Sequence, residues 1–352
     1  MTTLASLPVN AALCLALSLA GCARAWSQEP VAGIPSAEPD QAEPSNADPR
    51  EGACGGPHAL AGRTIRVGGK GGLQIGLKTY QQTLDLDEGE VVLTFDDGPN
   101  PETTARVLDA LKRACVKATF FLIGRNAEKH PALVRREAQD GHSVGHHSWS
   151  HPVQTLRGMS DADAVFDIEK GITAVDKAAG WGGLNSRAPK FPFFRFPGFA
   201  DTKSLNAILA ERNFVVFGTD LWASDWRPMA PETQLRLLLQ RLDEAGRGII
   251  LLHDARAQTA DMLPAFLEEL RRRHYKVVHL TNGEATPALR SAPEPWTSET
   301  EPIVRRVLSR MHSPHSVRTS APPAEPVHPL PQRRPAPRLD LNGSPTAAEP
   351  PR

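Results

Sequence analysis

The sequence has no excess of charge of either sign, because its 352 residues include 40 lysines and arginines and 40 aspartates and glutamates. Proteins that bind nucleic acid or an acidic membrane surface through their overall electric field carry a basic excess. The composition gives no support to either kind of partner, and we predict that the protein binds no nucleic acid.

An apolar segment long enough to span a membrane is also missing at the amino terminus. The apolar run at residues 13–20 is too short, but the small residues after it are typical of a secretory signal over residues 1–25, although no Lys or Arg precedes it. Residues 19–22 resemble a lipobox, after which Cys22 would carry a lipid, and residues 23–25 resemble an alternative cleavage site. We favour the lipoprotein and predict export to the periplasm or envelope, or secretion, with membrane attachment only through Cys22. A frayed terminus on a cytosolic protein is the alternative.

Cysteine is scarce, and only two of the 4 cysteines, Cys54 and Cys115, lie beyond the predicted signal. In an exported domain this pattern favours one disulfide, which would tie the segment before the first motif to the helix after it. Two separate buried thiols are the alternative.

The 32 prolines are concentrated at the two ends of the chain, so the globular part is shorter than the chain. We expect a disordered linker at residues 26–50, a short N-terminal β-extension at 51–87, the main domain at 88–283, and a disordered Pro-rich tail at 284–352. A helical pattern at residues 304–311 within this tail has no assigned role.

The main domain alternates short apolar strands with helical segments. The strands are predicted at residues 91–96, 118–123, 142–146, 191–196, 214–217, 249–252 and 275–280. The helices are predicted after Asn100, at 126–140, from Ser160 to about 179, after Asp201, from Pro231 to about 245, and before His274. This alternation predicts an α/β fold with parallel strands, either an open sheet or a barrel. Seven strands favour a distorted parallel (β/α) barrel.

Polar residues, joined by one tryptophan, lie at the carboxyl ends of five of these strands, with the third strand contributing two histidines. They are Asp96, Asp97, His147, His151, Arg195, Asp220, Asp225, Trp226, His253 and Asp254. The carboxyl ends of parallel strands share one face, where active sites are built in such folds. The sequence therefore predicts that these side chains meet at one site.

His147 and His151 are one helical turn apart, so both imidazoles can face one ion. Two histidines at this spacing are more commonly unrelated, but the presence of Asp97 on the same face favours a shared metal site. Two histidines and one carboxylate leave coordination positions open, as in a catalytic zinc site, and the same set suits Fe(II). We predict one divalent metal, with zinc favoured.

The remaining strand-end residues suit acid–base chemistry. Asp96 is placed to act as general base on a water at the metal, and Arg195 to hold Asp96 ionised and oriented. His253 is placed to act as general acid, held protonated by Asp225. A solvated Asp-Asp turn and an ordinary strand-end histidine are the alternatives.

Five motifs in order carry a resemblance to a known family: Thr-Phe-Asp-Asp-Gly-Pro at 94–99, His-Ser-Trp-Ser-His-Pro at 147–152, Arg-Phe-Pro at 195–197, Asp-Trp at 225–226 and Leu-Leu-His at 251–253. Over residues 88–283 the chain resembles polysaccharide deacetylases of carbohydrate esterase family 4, the NodB-type domain. The resemblance implies a distorted barrel, a metal, usually zinc, on Asp97, His147 and His151, and the acid–base roles given above. It also implies that Trp226 and Leu251 line an acetyl-methyl pocket, and we expect Pro197 on the substrate side.

Two departures from the family pattern touch the substrate side: Arg-Phe-Pro-Gly-Phe at 195–199 replaces Arg-Pro-Pro-Tyr-Gly, and the segment 220–226 is stretched. The expected reaction is removal of acetyl groups, N-acetyl before O-acetyl, from an acetylated carbohydrate such as chitin oligomers, peptidoglycan or acetylxylan. A metal-dependent hydrolase of small amides and a non-catalytic glycan-binding envelope protein are the alternatives. The sequence leaves the oligomeric state open.

The predicted disulfide is tested by counting free thiols in the mature body under denaturing, non-reducing conditions. We expect none, because Cys54 and Cys115 would be bonded to each other. Two free thiols would contradict the prediction.

Overall fold

Ten parallel strands and the helices between them form the body of the protein in the computed structural model, which describes Cys54 and residues 59–181 and 189–311. The strands are β1 Ala61–Val67, β2 Leu73–Ile75, β3 Gln82–Leu84, β4 Glu90–Asp96, β5 Thr119–Leu122, β6 Ser143–His146, β7 Phe193–Phe194, β8 Val215–Phe217, β9 Leu221–Trp222, β10 Gly248–His253, β11 Lys276–Asn282 and β12 Leu289–Ser291. The helices are α1 Thr104–Arg113, α2 Gly124–Lys129, α3 Pro131–Gln139, α4 Asp161–Ala179, α5 Lys203–Glu211, α6 Pro231–Ala245, α7 Ala257–Arg272 and α8 Glu301–Met311. The predicted signal, linker and Cys22 lipidation, and the tail beyond residue 311, lie outside the described residues.

Strand β4 is the centre of the sheet. All of its residues are buried, as expected for an apolar, β-branched strand covered on both faces. It pairs in parallel with β10 along its length, from Val91 opposite Gly248 to Asp96 opposite His253, and with β11 and β5 on the other edge. The order continues from β5 through β6, β7 and β8 to β2, while β1 lies beside β11 and β9 beside β10. The predicted α/β fold, a distorted (β/α) barrel, is confirmed.

Helix α1 shows why the helices lie on this sheet. Its apolar residues Val107, Leu108 and Leu111 recur at helical spacing and are fully buried in a core shared with Phe95 and Phe120 of the strands. Lys112 and Arg113 fall in its last turn, where they suit the helix dipole. Among the described residues, none of the helices combines the length and hydropathy needed to cross a membrane.

Three features of the fold differ from the sequence prediction. The predicted helix at 126–140 is two helices, because His130 leaves helical geometry and Pro131 starts α3. The β-extension at 51–87 is not separate, since β1 and β2 pair with β11 and β8 of the main sheet. The two-residue strand β9 was missed because it is too short to show periodicity.

The prediction that a disordered tail begins at residue 284 is wrong for the part that the structure describes. Strand β12 pairs antiparallel with β3, and helix α8 buries Val304. The connection between them is fixed by Trp296, whose Nε1 donates to the carbonyl oxygen of Leu77 at 2.7 Å. Residues 289–311 are therefore part of the folded body.

Cys54 and Cys115 are joined in a disulfide, with their Cα atoms 5.4 Å apart. Cys115 follows α1, so the bridge ties the segment before β1 to the end of the helix that follows the central strand, as predicted.

Asp220, predicted among the site residues, has a structural role instead. Its carboxylate is half-buried and accepts hydrogen bonds from Leu77 N at 2.8 Å, Ile249 N at 2.8 Å and the Thr83 hydroxyl at 2.9 Å. It thus joins the N-terminal segment to β10 and does not face the chemistry.

We predict that Asp220→Ala destabilises the fold by about 2–4 kcal/mol, because it leaves buried donors without partners. Urea unfolding measures the loss, and Asp87→Ala is the control, since that side chain is exposed. Equal, small effects of both substitutions would contradict the structural role.

Candidate active site

The ends of β4 and β6 bring together two histidines and a carboxylate. Asp97 Oδ1 lies 3.6 Å from His147 Nε2 and 3.4 Å from His151 Nε2, and the three ligand atoms are all within 4.8 Å of one another. Asp97 Oδ1 is buried and has no hydrogen-bond partner among the described residues. An orphaned carboxylate oxygen facing two imidazole nitrogens fits a divalent cation.

The orientation of His147 also fits this use. Its Nδ1 lies 2.7 Å from the carbonyl oxygen of Arg195, a bond that only a protonated Nδ1 can donate. Its Nε2 is therefore the unprotonated nitrogen that faces Asp97, as in metal-ligating histidines. Burial lowers the pKa of His147 to about 4, so the ring is neutral at pH 7.

The ligand loops adopt backbone conformations that non-glycine residues rarely take. Asp97, Ser148 and His151 have φ of 75°, 61° and 47°. Strain of this kind persists only where the surroundings fix the backbone, and it concentrates at functional sites.

Helix α4 supplies these fixed surroundings for the histidine loop. Asp167 Oδ1 accepts hydrogen bonds from Trp149 N at 2.9 Å and Ser150 N at 3.1 Å. Gly171 approaches so closely that a Cβ there would lie 2.5 Å from Ser148 C. The helix therefore holds the turn between the two histidines.

Arg195 and Asp96 form a buried ion pair beside the cluster. Arg195 Nη1 donates to Asp96 Oδ1 at 2.7 Å and to the Thr94 hydroxyl at 2.9 Å, and Nη2 donates to the carbonyl oxygen of Gly218 at 2.8 Å. The guanidinium carbon also lies 4.3 Å from the ring centroid of Phe121. Asp96 is thus oriented by Arg195 and aimed at the cluster, with Oδ2 3.9 Å from His147 Nε2.

His253 and Asp225 form the second pair. Asp225 Oδ1 lies 2.8 Å from His253 Nδ1, while Oδ2 accepts from His253 N at 2.7 Å and from the Thr259 hydroxyl at 2.8 Å. Burial alone would lower the pKa of His253, but the Asp225 carboxylate outweighs it and raises the pKa to about 10. The imidazole is therefore held as a cation, with Nε2 free to donate.

Asp254, predicted with the site residues, packs against the turn that contains Asp97 and Gly98. It is buried, and its Oδ2 accepts from the Thr104 hydroxyl. A Cβ on Gly98 would lie 2.2 Å from Asp254 Oδ2, so only glycine fits after Asp97. Burial raises the pKa of Asp254 to about 7.

Both pairs and the three-residue cluster open into one cavity of about 360 Å³. Leu251 and Trp226 line it as predicted, and Trp226 packs edge-on against Trp222 with ring centroids 5.6 Å apart. Pro197 is buried and does not line the cavity, so the structure does not support the expected position of Pro197 on the substrate side. The turn at Gly198, with φ of 61°, brings Phe199 to the cavity wall instead.

Sequence reasoning missed four other residues that line the cavity. Arg227 and Arg256 lie in the loops after β9 and β10, and Ile303 and Arg306 are on α8. Arg306 falls within the helical pattern at residues 304–311 that had no assigned role, and Ile303 directly precedes that pattern.

Residues 83–216 match the polysaccharide deacetylase family model. A chitooligosaccharide deacetylase of Azorhizobium caulinodans is 31% identical over 170 residues, which are 48% of this chain and 75% of that protein. The chain belongs to the polysaccharide deacetylase family.

Other members of the polysaccharide deacetylase family agree. A peptidoglycan-N-acetylglucosamine deacetylase of Bacillus cereus is 37% identical over 147 residues, 42% of this chain and 50% of that protein. The solved structure of a Bdellovibrio bacteriovorus peptidoglycan deacetylase matches with a TM-score of 0.56 at 32% identity, over 65% of this chain and 61% of that chain. This chain spans half or less of the length of several curated relatives, such as 42% of a peptidoglycan-N-acetylmuramic acid deacetylase of Bacillus subtilis.

The charge on His253 depends on Asp225, which yields a testable prediction. The stabilisation from the pair is complete below the unfolded pKa of about 6.5 and is lost as pH rises through about 10, because the folded pKa is the higher one. In metal-free Asp225→Asn protein we expect the pKa of His253 to fall, since burial is then less opposed. Titration of the imidazole NMR shifts measures it.

The control for that titration is Asp261→Asn, which removes an exposed carboxylate of α7 that pairs with Arg106. It should leave the midpoint of His253 in place. A midpoint unchanged by Asp225→Asn would contradict the role of that carboxylate.

Proposed function

We propose that this protein hydrolyses acetyl groups, chiefly N-acetyl groups, on an acetylated polysaccharide or oligosaccharide. The observation that carries the proposal is that one cavity holds a metal-type ligand set and two oppositely tuned acid–base pairs. Family membership supports the same reaction class, since the matched relatives are named as deacetylases of peptidoglycan and chitooligosaccharides.

Asp97, His147 and His151 would hold one divalent metal, and we propose zinc because two imidazoles and one carboxylate suit it. When bound, it would supply Lewis-acid polarisation of the acetyl carbonyl and a water of lowered pKa. Burial would raise the pKa of Asp97, but the neighbouring His253, His147 and His151 lower it below its usual value, so the carboxylate is ready to bind a cation.

Asp96 and His253 divide the proton transfers between them. Asp96, fixed by Arg195, is the general base that removes a proton from the attacking water. His253, held protonated by Asp225, donates a proton to the departing amine or hydroxyl.

The rest of the cavity suits a sugar-linked acetyl group. Leu251 is buried at the cavity wall, where it can cover the methyl group, and Trp226 is partly exposed and offers a face for a sugar ring. We propose peptidoglycan, chitin oligomers or acetylxylan as substrates, and export to the envelope as the location. A hydrolase of small amides needs no exposed aromatic wall, and a glycan-binding protein needs neither acid–base pair.

The test is acetate release by purified, zinc-loaded protein from the three polymers. We expect release that a chelator abolishes and that Asp97→Ala lacks, because the ligand set is then incomplete. Asp96→Asn and His253→Ala should each lower kcat by about a hundredfold or more, as loss of a general base or acid does.

The matched control is Asp109→Asn, an exposed aspartate of α1 that pairs with Arg136 and does not line the cavity. It should retain normal turnover. Absence of release from all polymers by protein that holds one metal per chain would contradict the proposal and favour the small-amide hydrolase or the glycan-binding protein. Near-normal turnover of Asp96→Asn or His253→Ala would remove the role of that residue.

A further inference from the structure

Three arginines line the candidate active site without forming an ion pair to any described residue. Arg227, Arg256 and Arg306 are exposed at the cavity, and no ion pair or side-chain hydrogen bond within the described residues involves their guanidinium groups. The neighbouring Arg305, which does not line this cavity, pairs with Glu301 at 2.9 Å.

The acidic groups of the cavity are already compensated. Asp96 pairs with Arg195 and Asp225 with His253, and Asp97 faces the two histidines of the proposed metal site. Arg256 acts electrostatically on Asp97, but none of the three arginines forms an ion pair with an acid of the site among the described residues. The chain as a whole has zero formal net charge, so this positive excess is local to the cavity.

The arginines come from separate parts of the chain that the fold brings together. Arg227 and Arg256 follow β9 and β10. Arg306 is carried by α8, which is held by Arg157: its Nη1 lies 2.8 Å from Glu301 Oε2, while its Nε donates to the carbonyl oxygen of Asp201 at 2.7 Å. Helix α8 is thus fixed against the site and presents Arg306 to it.

We propose that Arg227, Arg256 and Arg306 form an anion-binding rim that selects a substrate with a carboxylate close to the acetylated sugar. A guanidinium binds a carboxylate through two parallel hydrogen bonds, whereas a neutral acetylated polymer such as chitin or acetylxylan offers no such group. The substrate class is therefore an acidic acetamido-sugar polymer, as glycans containing N-acetylmuramic acid are. This inference rests on the proposed deacetylation.

The carboxylate has two chemical sources in such a glycan. It is either the lactyl group of the sugar itself, or a carboxylate of a peptide attached to that group. Glycan strands stripped of peptides present the first, and strands that retain their peptides present the second. Neutral N-acetylglucosamine oligomers of matched length present neither.

The experiment compares kcat/KM for acetate release from these three substrates by zinc-loaded wild type and by the triple variant Arg227→Gln, Arg256→Gln, Arg306→Gln. We expect wild type to prefer one acidic substrate, and the triple variant to lose about tenfold in kcat/KM on it, mainly through KM. Turnover of neutral oligomers should change less than about twofold. Raising the salt concentration should weaken only the acidic reaction, because ions screen exposed charges.

Arg310→Gln is the control, because it removes an exposed arginine of the same helix that does not line the cavity. It should match wild type on every substrate. Equal losses by the triple variant on acidic and neutral substrates, or equal wild-type turnover of both, would overturn the inference while leaving the proposed deacetylation intact.

If no acetate is released, binding measured by calorimetry tests the anion-binding rim separately from the proposed deacetylation. Zinc-loaded Asp96→Asn protein should bind the acidic strands more tightly than the neutral oligomers, and addition of the three arginine substitutions should remove that difference. Such binding without turnover in wild type would sustain the anion-binding rim and reject deacetylation. Equal binding of acidic and neutral glycans would reject the rim.

Discussion

The buried pair of Arg195 and Asp96 is the interaction on which the rest of the site depends. Arg195 is completely inaccessible to solvent, and taking a guanidinium and a carboxylate out of water costs several kcal/mol per ion. The structure offsets this cost by giving the guanidinium acceptors at Asp96, Thr94 and Gly218, and an aromatic face at Phe121. The backbone carbonyl oxygen of Arg195 also accepts a hydrogen bond from His147. Arg195 therefore orients both the proposed base and a proposed metal ligand.

The turns around this pair adopt conformations that few residues allow. The residues that support these turns are therefore as restricted in identity as the site residues themselves. Asp97 has positive φ, and Gly98 leaves no room for a Cβ beside Asp254. The loop after β6 is likewise fixed by Asp167 and by the close approach of Gly171. These residues touch no reacting group, but each removes a conformation in which the ligand atoms would point apart.

The sequence indicated which side chains share one face of the sheet because one topological rule governs that placement. In a parallel sheet the carboxyl ends of the strands meet, so Asp96, Arg195 and His253 could be placed together from strand positions alone. The hydrogen-bond partners of each carboxylate were harder to predict. Asp220 and Asp254 occupy strand-end positions like those of the site residues, but backbone and hydroxyl donors bind their carboxylates. That information lies in the N-terminal segment and in α1, far away in the chain.

The same reasoning shows why the arginine rim was not predictable. Arg306 lies beyond the alternating strands, in a segment whose helical pattern was given no role, and its position depends on long-range contacts of Trp296 and Arg157. Arg227 and Arg256 resemble ordinary surface arginines until the acids nearby are found to be paired with other residues. Charge compensation is therefore a property of the assembled site: once Asp96 and Asp225 have their cations, the guanidinium groups that remain have no ion-pair partner in the part of the chain that the structure describes.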